Sequence, residues 1–240
     1  MKTAAQPKCS PEEISYRNQR RSVGILGIML PFALIIYTYL QGCKEIQPSI
    51  SQYFYSTAGI LLVGVLSAVG LFLISYKGTQ KIDDIITNLA GVFALGIAFF
   101  PTDTDLNSKC LLFTFPANKV VTTVHYVSAA LFFISLAANS FFLFTRTDKK
   151  MITLQKQQRN HVYKTCGILI IVFVALVPVC NIEKVKIWLN LPYATFALEA
   201  LALLTFGISW LIKGDTLLQD KAHTQMVKAN PADVVSPNAK

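Results

Sequence analysis

Five stretches of this chain, 22–42, 54–76, 85–102, 120–145 and 165–182, carry no Asp, Glu, Lys or Arg. A sixth, 187–212, is interrupted by a single charge, Glu199. Each has about 18 residues or more, the length at which a helix crosses roughly 30 Å of hydrocarbon. In a bilayer every backbone N–H and C=O must be satisfied within the protein, which leaves helices or a closed barrel. None of the six runs alternates polar with apolar residues as a barrel strand does. They therefore predict an all-α polytopic membrane protein, a bundle of six transmembrane helices. Composition agrees, with 53% hydrophobic and 15% charged residues, against about a quarter charged in an average soluble domain.

Lys and Arg set the expected orientation. With the N-terminus inside, the outer loops hold Lys44, Lys109, Lys119, Lys184 and Lys186, and all the rest of the 22 basic residues fall on the inner side. This is the positive-inside pattern, with both termini cytoplasmic. The net charge of +9 then reads as a topology signal and an anionic-lipid contact, and needs no nucleic acid. Three parts follow: a cytoplasmic segment 1–21, a transmembrane domain 22–213, and a polar tail 214–240 expected to be disordered. Ser10, Pro11 and Glu13 form an N-cap, a first-turn proline and a capping-box carboxylate, predicting a short helix from Pro11 that feeds the first span. No cleavable signal peptide is expected, since the first apolar run follows a polar segment and is too long for a signal h-region. Of the five cysteines, Cys43, Cys110 and Cys180 lie toward the outer side. Free thiols in apolar surroundings are the favoured reading, and Cys43–Cys110 is the first choice of bridge should the compartment be oxidising.

The polar residues in and beside the runs divide by depth. Glu199 is an intramembrane carboxylate, costing roughly 3 kcal/mol on insertion scales and hence a functional candidate by default; its structural alternative is a carboxylic acid bonded to a neighbouring helix. Ser51, Asp103, His125, Ser128 and Glu199 all lie in the outer half and could share one depth. In the inner half, Asn88 and Asn139 suggest an interhelical amide pair, and Ala90, Ala94 and Ala98 form a small-residue stripe for close packing. Trp210, Tyr76 and Tyr163 on one side, with Tyr37, Tyr39, Tyr53, Tyr55 and Trp188 on the other, read as aromatic belts. His161 sits in a basic collar and reads as solvated.

This inventory limits the chemistry. Bis-histidine haem needs two histidines at one depth, whereas His125, His161 and His223 lie at three. Catalytic zinc usually takes three protein ligands, so a site of His125, Asp103 and Glu199 is conceivable but thin, and no metal or other cofactor is expected. Broken helices in repeated halves, the mark of many transporters, are absent, which makes a small-solute transporter the third-ranked reading.

Phe100-Pro101-Thr102-Asp103, a loop with Phe115-Pro116, and then His125 opening the next helix resemble the bacterial membrane family catalogued as domain of unknown function 998. The resemblance spans about 22–213 and is most specific over 100–125. Thr104 stands where the family often has Pro, and Ala117-Asn118 replace a Gly, so the loop geometry can differ. The resemblance implies a six-span fold in a bacterial plasma membrane and a pairing of Asp103 with His125, and no activity. Six-span Frag/DRAM-type membrane proteins are a more distant analogy.

Two functions fit these residues. The first is binding of a lipid head group or small amphiphile in a polar pocket open to the outer leaflet, with Glu199, His125, Asp103 and Ser51 as contacts and membrane lipids as partners. The second is a lipid hydrolase or transferase with His125 as general base, Asp103 orienting it, and Ser128 or Ser51 as nucleophile. Ser128, three residues along the same helix, is awkwardly aimed at a common substrate atom, which places binding first.

Overall fold

A computed structural model describes residues 11–78, 80–104, 110–216, 218 and 226–234. Seven helices dominate it: α1 (Pro11–Leu40), α2 (Gly59–Ser75), α3 (Lys81–Phe99), α4 (Lys119–Ala138), α5 (Leu154–Cys180), α6 (Glu183–Leu189) and α7 (Ala194–Lys213). A turn of π-helix, Asn139–Leu143, extends α4, and a 3-10 segment, Ser51–Tyr55, precedes α2. Local sequence accounts for the helix starts. The Gln80 side chain and Asp83 form a reciprocal capping box at α3. The Asn118 side-chain oxygen accepts from the Val120 and Val121 amides at α4, and the Thr153 hydroxyl accepts from the Lys156 amide at α5, each satisfying donors the first turn leaves orphaned. The left-handed Asn190, at φ 47°, ends α6 and turns the chain into α7.

Six of the helices close a ring in chain order. α1 packs on α2, α2 on α3, α3 on α4, α4 on α5, α5 on α7, and α7 back on α1. Small residues set the tightest approaches. A Cβ added to Gly24 would come within 2.9 Å of the Gly207 carbonyl oxygen, and Gly70 meets the Gly91 carbonyl of α3 at the same distance. Ala90, Ala94 and Ala98 lie in the core behind that contact, where the absence of a larger side chain lets backbones approach.

The outward face of the ring is apolar. Ile60 of α2 and Val120 of α4, like Ile187 of α6, expose more than seven-tenths of their surface, a pattern that would be a liability in water and is ordinary against lipid. Five helical segments are long and apolar enough to cross a membrane: Ile14–Leu40, Lys81–Phe99, Lys119–Leu143, Leu154–Cys180 and Ala194–Lys213. α2, with 17 residues, is a shorter apolar helix. The run 54–76 does not start as α-helix because its first residues belong to the 3-10 segment and the bend at Ser56, whose hydroxyl donates to the Tyr53 carbonyl.

Several expectations change. The helix from Pro11 is continuous with the first apolar run as one 30-residue helix, while its Ser10 cap lies outside the described residues. The fold is not helical throughout: β1 (Met151–Thr153) pairs antiparallel with β2 (Met226–Lys228), so 226–234 is ordered against the bundle where a disordered tail was expected. Asp233 anchors it, accepting from Lys164 Nζ at 3.0 Å and Asn160 Nδ2 at 3.2 Å. No Asn88–Asn139 amide pair forms. Asn139 sits in the π-turn, fully buried, with no hydrogen bond to either side-chain polar atom.

Trp210, Tyr76 and Tyr163 are not belt residues either. They are buried in one aromatic cluster with Phe144 and Phe206. The cations stack on it instead, with the Arg20 guanidinium and the Lys213 ammonium each 5.3 Å from the ring centres of Tyr76 and Phe144. Tyr53 and Tyr55 are also buried, whereas Trp188 and Tyr39 are exposed.

Candidate functional site

The end of the ring where α3 stops and α4 starts gathers the residues singled out from the sequence. Pro101 disfavours a helical conformation in the residue before it, and Phe100 accordingly leaves α3 with φ −111° and ψ 100°. That extended turn directs the Phe100 carbonyl away from the helix axis, where it accepts from Nδ1 of buried His125 at 2.7 Å. The rest of the motif is held as specifically. The Thr102 carbonyl accepts from the Tyr55 hydroxyl at 2.6 Å, the Thr102 hydroxyl donates to Tyr126 at 3.1 Å, and Asp103 accepts from the Thr122 hydroxyl at 2.8 Å. Thr122, His125 and Tyr126 are spaced i, i+3 and i+4, so one face of α4 clamps the whole Phe-Pro-Thr-Asp segment.

The second nitrogen of His125 reaches the segment before α2. Nε2 lies 3.0 Å from the Ser51 hydroxyl. A carbonyl oxygen can only accept, so Nδ1 carries the proton in the bond to Phe100; in the neutral imidazole Nε2 is then the acceptor and Ser51 the donor. One residue earlier, the Ile50 amide donates to the Glu199 carboxylate of α7 at 2.6 Å, and the Pro48 carbonyl accepts from the Phe196 amide at 3.0 Å. The stretch 48–51 is thereby fixed between α7 and α4, which aims Ser51 at His125.

Two cavities are lined by residues that His125 bonds. The outer one, an open pocket of about 550 Å³, is lined by Tyr55, 99–104, 115–118, Val121 and Thr122. Among the described lining residues Asp103, itself exposed, is the only charged one. Tyr55, Phe54, Phe113 and Phe115 make an aromatic cluster at its edge. The inner cavity, of about 50 Å³, is lined by Ser51, Glu199 and Ile50 together with apolar residues of α1, α2, α3, α4 and α7 such as Leu30, Leu62 and Phe133. Phe100 lines the first and Ser51 the second, and both are bonded to His125, which itself lines neither.

The structure thus joins Ser51 and His125 by a hydrogen bond and sets Glu199 beside them, while Asp103 belongs to the outer pocket and bonds Thr122 rather than His125. The group orienting His125 is the Phe100 carbonyl. Ser128, buried one turn from His125, faces Gly96 of α3, where an added Cβ would meet its hydroxyl. Asp105 lies outside the described residues. Among the described residues no group of three or more His, Cys, Asp or Glu is placed to hold a metal ion.

Sequence reading missed Thr122, Tyr126, Tyr55 and the Phe100 carbonyl. The helical spacing of the first two with His125 was visible; their partners, a backbone oxygen and a loop from another helix, were not.

Cys43 and Cys110 form a disulfide at this end, Cα–Cα 5.8 Å, in place of the free thiols favoured from sequence. Cys166 and Cys180 are free. The bridge ties the loop after α1 to the loop between α3 and α4. Compared with protein-family models, with curated proteins and with solved structures, the chain matches none.

Proposed function

We propose that this chain is a six-span integral membrane protein with both termini cytoplasmic, and that its outer pocket binds the head group of a lipid or a similar small amphiphile. α2 is the sixth span, made up to membrane thickness by the 3-10 segment before it. Two unrelated signals support the orientation. Lys and Arg concentrate at one end of the bundle, as inner loops do, and the Cys43–Cys110 bridge lies at the other, as suits an oxidising compartment. Membership of the family that the Phe-Pro-Thr-Asp pattern resembles is part of the same proposal.

The observation that carries the binding reading is the pocket of about 550 Å³ built from both Phe-Pro segments. Its size is that of a small-molecule site, mostly apolar with few polar groups. The single carboxylate of Asp103 favours a head group bearing an amine or hydroxyls. The test is native mass spectrometry of the purified full chain in mild detergent, with phosphatidylethanolamine and phosphatidylglycerol as probes. Retention of the amine lipid by wild type, and its loss in Asp103→Asn with unfolding temperature preserved, is the expected result. Equal retention of both lipids by both proteins sinks the proposal.

A further inference from the structure

We infer that Ser51 and His125 form a nucleophile–base pair that transfers the acyl group of an ester-linked amphiphile. The three parts that nucleophilic catalysis requires are present in order: a hydroxyl, a base within hydrogen-bond reach of it, and a third group orienting the base. The Ser51 hydroxyl is 3.0 Å from His125 Nε2, and Nδ1 is held at 2.7 Å by the Phe100 carbonyl. A carbonyl at Nδ1 fixes the tautomer whose Nε2 can take a proton. The objection to Ser128 does not apply, because Ser51 comes from a separate segment held from behind by Glu199 through the Ile50 amide. Ser51 lines the mostly apolar inner cavity of about 50 Å³, and Phe100, whose carbonyl holds His125, lines the larger outer pocket. The ester class rests on the head-group proposal above; the reactivity of Ser51 does not.

The step balances with water as the only co-reactant. The Ser51 oxygen adds to the ester carbonyl carbon as its proton passes to His125 Nε2. Collapse of the adduct breaks the ester C–O bond, and His125 returns the proton to the departing alkoxide, leaving a free alcohol and acyl-Ser51. Water then attacks the acyl carbon, giving its proton to His125. The carboxylic acid leaves as the proton returns to the Ser51 oxygen.

A fluorophosphonate probe tests the pair on the purified full chain in detergent micelles, with the adduct mapped by peptide mass spectrometry. Wild type is expected to form one adduct, on Ser51. The adduct should be lost in Ser51→Ala and slowed at least a hundredfold in His125→Gln, as loss of a general base slows such steps. Wild type that carries no adduct at Ser51 overturns the inference, whatever the variants do, since no substitution has touched that chain. Labelling of folded His125→Gln at the wild-type rate overturns it too. The probe carries no lipid head group, so labelling of Ser51 is read separately from lipid retention, and failure of the head-group proposal leaves this result standing.

Discussion

The two ends of the bundle hold themselves together differently. At the basic end the bonds are charged: Arg146 pairs with Asp83 at 2.5 Å and also reaches Gln80, Lys164 pairs with Asp233, and Arg20, Lys156 and Lys213 lie over aromatic rings. At the disulfide end the bonds run between uncharged side chains and backbone carbonyls, or to single carboxylates: His125 to Phe100, Tyr55 to Thr102, Thr122 to Asp103, Ile50 to Glu199. A long cation over a ring tolerates many geometries and suits the edge of a membrane, where the head stays near water and the stem covers apolar surface. A hydrogen bond to a carbonyl is directional and weakens steeply when bent. The first kind anchors and the second positions, which is why the candidate chemistry collects at the disulfide end.

Asp83→Ala is the strongest way to break that contrast. It leaves Arg146, about a quarter exposed, without its carboxylate. The expected cost is about 3 kcal/mol, at the low end for a broken buried pair because water reaches Arg146. Scanning fluorimetry, with Trp210 buried in the adjoining cluster, reads it as a lower unfolding midpoint. A variant as stable as wild type would mean the basic end does not depend on this pair.

His125→Ala comes next, at about 2 kcal/mol. It strips the partner from the Phe100 carbonyl and from Ser51, both in part-buried bonds, and groups orphaned away from water cost more than the bond itself contributed. Since the lost bonds join uncharged groups, the difference from wild type should not change between low and high salt, whereas the Asp83→Ala difference should shrink as salt screens the charges. A salt-sensitive His125→Ala would erase the distinction between the ends.

Lys164→Ala is the mildest. Lys164 is 28% exposed, and pairs of this kind contribute about 1 kcal/mol or less. Its effect is local: release of Asp233 should unpair β2 from β1, and limited proteolysis should cut within 226–234 faster than in wild type while global unfolding stays in place. Unchanged cleavage would show that the strand pair, not the ion pair, holds the segment.

Hydropathy alone made the helices legible, because a bilayer leaves a long uncharged run little choice but to satisfy its own backbone. The candidates His125 and Glu199 were legible too, since polar groups in such runs are few, and Ser51 was legible as a polar group just before one of them. The disulfide was named as a pairing and ranked second to free thiols, because two cysteines in separate loops have no distance until the helices between them are placed. The belt assignment of Trp210, Tyr76 and Tyr163 failed for a related reason: position along a helix gives depth and not the side that faces the core.

That this chain is helical, apolar on its outside and basic at one end follows from local composition and the solvent it must meet. Which of the outer-end residues meet depends on how the helices pack. The partners of His125 are a hydroxyl from the segment before α2 and a carbonyl freed by Pro101 at the end of α3. A backbone oxygen leaves no mark in a sequence, and a contact between segments far apart in the chain exists only once the ring of helices has closed.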